Sequence, residues 1–210
     1  MARIKNGILG GFSGKVGNVI GFHLNGNDYM KGKSKERTTP PTKGEQANWD
    51  KFAYVQKWLT PLTEFFRVGF KDYNPKYQGF LAAKSYNFKN AVIGSWPNFQ
   101  MDPAKALVSH GDMSQAPWAV ATAERKDYVT FDWEKAHDFC HDDRAMLVAY
   151  DMTGYEACFN TASEKANSGS ARLKLEESMR GKQLDIYLAF VSEDRKRRSK
   201  SQYLGVVTAL

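Results

Sequence analysis

The sequence predicts an α+β protein in which a glycine-rich arm, a β-hairpin and two or three helices precede an antiparallel β-sandwich. Three observations predict this class. Glycine and lysine recur through the first 42 residues, the next segment repeats apolar residues at helical spacing, and short β-favouring segments follow residue 103. The 210 residues are 42% hydrophobic and 25% charged, which suits globular domains. We expect two parts, residues 1–104 and residues 105–210.

The first 42 residues form a basic segment that is poorly suited to a helix. Glycine costs more conformational entropy on folding than other residues, so its recurrence here disfavours regular helix. We therefore expect an extended arm. Its charged residues are the carboxylates Asp28 and Glu36 and the cations Arg3, Lys5, Lys15, Lys31, Lys33, Lys35 and Arg37.

A β-hairpin is predicted within the arm. Residues 17–24 and 29–33 contain Val, Ile, Phe and Tyr, and they flank Asn25-Gly26-Asn27-Asp28. An Asn-Gly pair adopts the left-handed backbone that tight hairpin turns require. The two runs should therefore pair as antiparallel strands.

Helices are predicted after Thr39-Pro40-Pro41-Thr42, which cannot lie inside a helix. Thr42 and Glu45 have the spacing of a capping box, so a helix should begin there. Pro61 either kinks this helix or opens a second one capped by Thr60. A further helix is predicted over residues 77–93, ended by residues 95–98. One buried face is expected to contain Phe52, Val55, Leu59, Leu62 and Phe66.

After Pro103 the pattern changes to short segments that favour strands. Their regular spacing, with turn residues between them, is typical of an all-β unit. The predicted strands cover residues 106–108, 119–122, 128–133, 146–151, 171–175, 184–191 and 203–207.

The β unit resembles a fibronectin type III or related immunoglobulin-like sandwich. The resemblance rests on Val129-Thr130-Phe131-Asp132-Trp133, then Leu173-x-Leu175, Tyr187-x-Ala189-x-Val191 and Ser199-x-Ser201. It implies that Trp133 is the core tryptophan. It also implies that Tyr187 is the corner tyrosine, with a buried ring and a hydroxyl bonded to upstream backbone. The proline and glycine usual before that tyrosine are represented only by Gly181.

The whole chain is similar to a widespread bacterial family of uncharacterised proteins. The similarity begins with ARIKNGILGGFSGKVGNV at residues 2–19. It continues through Gln46, Phe52 and Gly69-Phe70 to SKSQYL at residues 199–204. This resemblance implies no assigned reaction.

The motifs that could carry chemistry are better explained by structural roles. Gly10 to Lys15 departs from a phosphate loop, because Leu9 stands where a glycine is needed and Val16 where a hydroxyl is needed. Residues 137–143 contain six possible metal ligands, but we expect a solvated loop there, with a metal site as the alternative. No Gly-x-Ser-x-Gly elbow appears, and the four histidines suggest no triad. We predict no enzymatic activity, no cofactor and no small-molecule substrate.

The strongest electrostatic feature is residues 195–200, which hold five cations in six residues. The sandwich resemblance puts this run in the hairpin loop before the last strand. The run either neutralises phosphates or keeps the loop in water. The formal charge of +7 and the pI of about 9.3 permit acidic partners without identifying one.

The sequence contains few signals of the protein's cellular location. Cys140 and Cys158 are the only cysteines, so no disulfide framework is predicted. The amino terminus lacks the apolar core of a signal peptide, and no apolar run is long enough to span a bilayer. We expect a cytoplasmic protein or one assembled into a particle.

These observations favour a non-enzymatic structural or protein-binding protein, which resembles sandwich subunits of phage-like particles, tails or appendages. An extended arm can bind a partner or a second copy by adding a strand to a sheet edge. The alternative is a nucleic-acid-binding module that uses the basic arm and the basic loop. Trp133 and Tyr187 are predicted core residues, and the predicted partner-binding residues are Phe12, Lys15, Val19, Phe22, Lys31, Lys33, Arg195, Arg197 and Arg198.

Overall fold

The computed structural model describes residues 3–4, 10–24, 26–73 and 79–210. Over these residues the protein is mixed α+β with a β-rich C-terminal part. It divides into two compact units, Met1–Thr42 and Lys43–Leu210. The boundary predicted between residues 104 and 105 lies inside the second unit. The helices and the following strands therefore belong to one unit.

The first unit is a four-stranded antiparallel sheet. Its strands β1 (Arg3–Ile4), β2 (Phe12–Val16), β3 (Val19–Leu24) and β4 (Asn27–Gly32) pair in chain order. The predicted hairpin is confirmed as β3 and β4, although its Asn25 lies outside the described residues. Gly17, with a φ of 57°, supplies the left-handed backbone in the tight turn between β2 and β3.

The second unit begins with three α-helices: α1 (Lys43–Leu59), α2 (Thr63–Gly69) and α3 (Gly79–Asn90). Pro61 lies in a single 3-10 turn, Thr60–Leu62, that separates α1 from α2. A second helical segment after Pro61 is therefore observed, but Thr60 does not cap it, because its hydroxyl donates to the Gln56 carbonyl at 2.7 Å. Proline has no backbone N–H to donate to the preceding turn, which explains the break.

Residues 92–101 form a hairpin that the sequence pattern did not predict. Its strands are β5 (Val92–Ser95) and β6 (Asn98–Met101), and the Trp96–Pro97 turn between them has a cis peptide bond. Residues 95–98 had been interpreted only as the end of a helix. The helix α3 already ends at Asn90, so residues 92–93, which were expected to be helical, belong to β5, and residues 95–98 reverse the chain.

Seven further strands complete the second unit: β7 (Ala119–Arg125), β8 (Tyr128–Trp133), β9 (Arg144–Asp151), β10 (Glu156–Asn160), β11 (Ser170–Lys174), β12 (Gln183–Val191) and β13 (Gln202–Thr208). Six of the seven predicted segments are confirmed as strands. The prediction for residues 106–108 is wrong, because this segment is irregular. Its Val108 N–H donates to the Ser201 hydroxyl oxygen at 3.0 Å instead of to a neighbouring strand.

These strands form two antiparallel sheets, in the orders β10-β9-β12-β13 and β11-β8-β7. The four-stranded sheet lies between the three-stranded sheet and the helices, so both of its faces are buried. On β12, alternate residues Leu184, Ile186, Leu188 and Phe190 belong to the core between the sheets. Tyr187, Ala189 and Val191 belong to the core under the helices.

Trp133 and Tyr187 therefore lie in different cores. The Trp133 side chain packs between the sheets, 5.7 Å from the ring of Phe190 between centroids, and its Nε1 donates to the Ala166 carbonyl at 2.8 Å. The Tyr187 ring is fully buried on the helical side, and its hydroxyl donates to the Pro103 carbonyl at 2.9 Å. The two residues do not enclose a shared core, because Trp133 projects from the three-stranded sheet into the space between the sheets, whereas Tyr187 projects from the four-stranded sheet toward the helices.

Aromatic side chains attach the helices to that sheet. Trp58 is fully buried, its ring lies 5.3 Å from that of Tyr150, and its Nε1 donates to Met152 Sδ at 3.1 Å. The Tyr150 hydroxyl donates to the Trp58 carbonyl at 2.9 Å. Phe52 departs from the predicted buried face, because 54% of it is exposed on the outer side of α1.

Candidate protein-interaction surface

The residues predicted to bind a partner fall into two groups. Phe12, Lys15, Val19, Phe22, Lys31 and Lys33 belong to the sheet of the first unit or follow it directly, whereas Arg195, Arg197 and Arg198 lie between β12 and β13. Each group is described within its own unit.

One face of the first sheet is mainly apolar, although it also contains His23 and Asp28, whose side chains pair at 2.9 Å. In an antiparallel sheet, residues directly opposite each other project to the same side. The register pairs Val16 with Val19 and Gly21 with Met30, which places these residues on one face together with Phe12. We call Phe12, Val16, Val19 and Met30 the apolar face. Its members Val16, Val19 and Met30 are 56%, 39% and 73% exposed.

Gly21 allows this face to be flat. A Cβ atom at Gly21 would lie 2.3 Å from the Phe12 carbonyl oxygen and 2.6 Å from the Phe12 ring. The ring of Phe12 therefore covers Gly21 directly. Such close approach is available only to glycine. The surface above Gly21 therefore consists of aromatic and aliphatic side chains and is nearly flat.

The opposite face combines cations with aromatic rings. Lys15, Ile20 and Lys31 stand opposite one another across three strands. The rings of Phe22 and Tyr29 are stacked, with centroids 5.5 Å apart and planes 18° apart, and Lys31 Nζ lies 5.6 Å from the Phe22 centroid. We call Lys15, Phe22, Tyr29 and Lys31 the basic face. Ammonium groups beside aromatic rings suit phosphates and stacked bases.

The outer edge of this sheet is β4. Among the described residues β4 pairs with β3 alone, so its other side presents backbone groups to solvent. Lys33 follows β4 and is exposed, while its backbone N–H donates to the Asn18 carbonyl at 2.7 Å. An open strand edge of this kind can pair with another chain.

The basic loop of the second unit, residues 192–201, connects β12 to β13 as the sandwich resemblance implies. Arg195 and Arg197 are exposed, and Arg197 donates to Cys140 Sγ at 3.6 Å. Arg198 differs from them, because only 4% of it is exposed. Its guanidinium donates to the Val68 carbonyl at 3.4 Å and to that of Lys71. Arg198 therefore holds the C-terminal end of α2 and is withdrawn from the surface.

The cluster at residues 137–143 lies between β8 and β9, where a loop was expected. Asp142 Oδ1 lies 3.0 Å from Lys165 Nζ and 2.9 Å from His141 Nδ1. Hydrogen bonds from Lys165, then from His141, lower the pKa of the Asp142 carboxyl. Asp143 instead accepts from the Cys140 N–H at 2.8 Å. Within the ranges that the structure describes, no three His, Cys, Asp or Glu residues are arranged to hold a metal ion.

Asp185 is a buried carboxylate of the second unit. Asp185 on β12 is 6% exposed, and among the described residues its side chain has no ion-pair partner. The Tyr203 hydroxyl donates to its Oδ1 at 2.7 Å, and the phenols of Tyr187 and Tyr150 are its other titratable neighbours. Burial raises the pKa of Asp185, and the hydrogen bond from Tyr203 lowers it by less. The folded state therefore favours the protonated carboxyl.

Asp185→Asn is expected to stabilise the protein at pH 7 and to have no such effect in acid. Because the folded-state pKa is raised, ionising Asp185 costs the folded state more than the unfolded state. The stability contributed by the neutral carboxyl is present below the ordinary pKa of about 3.9 and is lost as the pH rises through the folded-state value. Urea unfolding of both proteins across pH measures this. A constant difference at every pH would contradict the assignment.

The sequence pattern predicted neither the exposure of Val16 and Met30 on the apolar face nor the burial of Arg198. Val16 and Met30 were not among the predicted contacts, although the alternation along β2 to β4 places them beside Val19. The register needed for that placement comes from the turn at Gly17, which the sequence pattern alone did not single out. The burial of Arg198 depends on the end of α2, which is remote in sequence.

A family model for a family of unknown function, DUF6266, matches residues 11–205. This match covers most of the chain, so the protein belongs to that family, as its opening motif indicated. None of the curated proteins matches the chain. In the part of the chain that the structure describes, the helices are too short or too polar to cross a bilayer.

Proposed function

We propose that this protein is a non-enzymatic structural protein that binds a second copy of the same chain through the apolar face of its first sheet. The exposure of Val16, Val19 and Met30 on that face carries the proposal. A subunit of a larger assembly, such as a phage-like particle, a tail or an appendage, fits this arrangement. That last step rests on the resemblance of the sandwich alone.

We further propose that β7 to β13 form an immunoglobulin-like sandwich of the fibronectin type III kind. Seven antiparallel strands in sheets of three and four, with a tryptophan between them, support this proposal. The sandwich would serve as a scaffold. In this protein a helical layer additionally covers the outer face of the four-stranded sheet.

The physical basis of partner binding is the cost of leaving the apolar face in water. Burying apolar surface contributes about 25 cal/mol per Å². A sheet of short strands gains independent stability when a hydrophobic face is covered. A flat surface over Gly21 suits another flat protein surface. The open edge of β4 adds backbone hydrogen bonds to such a contact.

Nucleic-acid binding is the second candidate, favoured by the basic face. The stacked rings of Phe22 and Tyr29 with Lys31 beside them resemble the chemistry that binds single strands. Lys33 is a further exposed cation of the first unit, and Arg195 and Arg197 are exposed cations of the second unit. Affinity for phosphates falls linearly with the logarithm of salt concentration, whereas apolar association is nearly indifferent to salt.

Two double variants of the full chain separate the candidates. Val19→Asp with Met30→Asp charges the apolar face, and Lys15→Glu with Lys31→Glu reverses the basic face. In size-exclusion chromatography with light scattering, we expect the wild-type protein to be an oligomer and the first double variant to be a monomer. The second pair should leave that distribution unchanged. Deletion of residues 1–35 should also give a monomer.

Each double variant is also tested for binding of a labelled single-stranded oligonucleotide across roughly 50 to 300 mM salt. Steep salt-dependent binding that only the lysine variants abolish would replace the proposal with the second candidate. A wild-type monomer, or an assembly untouched by the aspartates and by the deletion, would refute the proposed contact. Circular dichroism confirms that the second unit stays folded in every variant.

A further inference from the structure

A groove lies on the outer side of the helices in the second unit. It has a volume of about 450 Å³, and apolar side chains of α1 and α3 dominate its walls. We call it the helical groove. Its lining consists of Asn48, Phe52, Leu81, Lys84, Ser85, Phe88 and Lys89.

Two large apolar side chains of this groove are left in water. Phe52 is 54% exposed and Leu81 is 60% exposed. The other side of α3 is already used, because Ala82, Ala83 and Asn87 are buried within the unit. Phe52 and Leu81 therefore add nothing to the core. Exposed apolar residues gathered in a concave site are typical of binding surfaces.

Three lysines surround these apolar side chains. Lys84 Nζ lies 3.1 Å from the centroid of the Phe52 ring, and Lys51 Nζ lies 4.4 Å from that of Phe88. Lys84 is only 7% exposed and donates to Gln56 Oε1, Lys51 is half-buried, and Lys89 is exposed. Among the described residues, none of the three has a carboxylate within ion-pair distance. The groove is therefore both apolar and positively charged.

This combination determines the chemistry of the occupant. Carboxylates would complement the lysines, and apolar side chains would fill the space between Phe52 and Leu81. A stacking site for bases is disfavoured, because Lys84 and Lys51 already cover the rings of Phe52 and Phe88. A membrane surface is disfavoured as well, since a concave site accepts protruding side chains and does not insert its own.

We propose that the helical groove binds an acidic amphipathic helix of a partner protein. Leu81 and Phe88 are seven residues apart on α3, which spans about 10 Å along the helix axis. That length accommodates two apolar anchors at positions i and i+4 of the bound helix. Carboxylates on either side of the anchors then reach Lys89, which is exposed, and Lys51, which is half-buried. This site lies in the second unit and is independent of the apolar face.

The test uses a labelled synthetic peptide of leucine and glutamate arranged at amphipathic helical spacing. Binding to the full chain is followed by fluorescence anisotropy. One control peptide has the same composition in scrambled order, and another replaces glutamate by lysine. We expect binding of the acidic amphipathic peptide alone. Lys89→Glu and Leu81→Asp should each weaken it by about ten-fold or more.

Matched variants elsewhere keep the test specific. Trp118→Ala removes an aromatic that is 56% exposed, and Lys135→Glu reverses an exposed lysine of β8–β9, both outside the groove. Neither should change peptide affinity by more than about two-fold. The proposal would be overturned if the scrambled peptide bound as tightly as the amphipathic peptide, or if Lys135→Glu weakened binding as much as Lys89→Glu does. Either result would mean that binding depends on net charge alone.

Two further probes test the excluded occupants. Vesicles of phosphatidylcholine and phosphatidylglycerol at roughly 3:1 test a membrane, and a single-stranded oligonucleotide tests a nucleic acid. Binding of either probe that Leu81→Asp abolishes, without binding of the peptide, would overturn the proposal. Circular dichroism and urea unfolding verify that Leu81→Asp and Lys89→Glu remain folded, as expected for exposed positions.

Discussion

Arg198→Ala is expected to lower the free energy of unfolding by about 3 kcal/mol. The Arg198 side chain is buried, and its guanidinium bonds to the carbonyls of Val68 and Lys71 at the end of α2. Alanine would leave these carbonyls without their donor and would open a cavity beside Gly111, whose backbone approaches Arg198 closely. An unsatisfied buried polar group costs about 1–3 kcal/mol. Urea unfolding followed by circular dichroism measures the loss.

Arg195→Ala is the matched control. Arg195 belongs to the same run of cations, but it is exposed, so its replacement should change stability by less than about 0.5 kcal/mol. If both replacements leave stability unchanged, Arg198 does not hold α2. Its inclusion among the partner-binding residues would then regain support.

The contrast between Arg195 and Arg198 illustrates where sequence reasoning stops. A run of cations predicts a solvated loop, and the loop between β12 and β13 is indeed there. Nothing in the run distinguishes the buried member from its neighbours. The partners of Arg198 are the carbonyls of Val68 and Lys71, more than a hundred residues away. Such a contact is set by tertiary packing.

The conformational preferences of a few residues were sufficient to predict other elements. The Asn25-Gly26 turn predicted the β3–β4 hairpin, and Pro61 predicted the break between α1 and α2. These features depend on backbone conformations that the residues impose themselves. The β5–β6 hairpin was missed because its turn, Trp96-Pro97, was interpreted as a helix end. The strand β10 was missed because its short sequence alternates weakly.

The layered arrangement was partly visible in the sequence. The run from Leu184 to Val191 is apolar at nearly every position, which is typical of a strand buried on both faces. A two-layer sandwich would instead have predicted alternation, with polar residues on the outer side. The predicted two-layer sandwich did not account for this run, and the helices supply the layer that buries its second face. The candidate site was less predictable, since its apolar face depends on strand register.

Trp58→Ala is expected to destabilise the entire second unit by about 4 kcal/mol. Trp58 is fully buried between the helices and the four-stranded sheet, and it contacts Tyr150 and Met152. Truncation removes this contact and leaves a large cavity, whose cost adds to the lost transfer free energy. Because the helices and β12 share one core, we expect a single cooperative unfolding transition at a lower urea concentration.

Amide hydrogen exchange distinguishes this expectation from independent folding of the two halves. If the helices and the sheet form one cooperative unit, Trp58→Ala lowers protection equally in α2 and in β12. Trp118→Ala, at a 56% exposed position, should change neither. Loss of protection confined to α1 and α2, with β9 and β12 unaffected, would instead support the boundary at residues 104/105. The helices would then be a covering on a sandwich that folds without them.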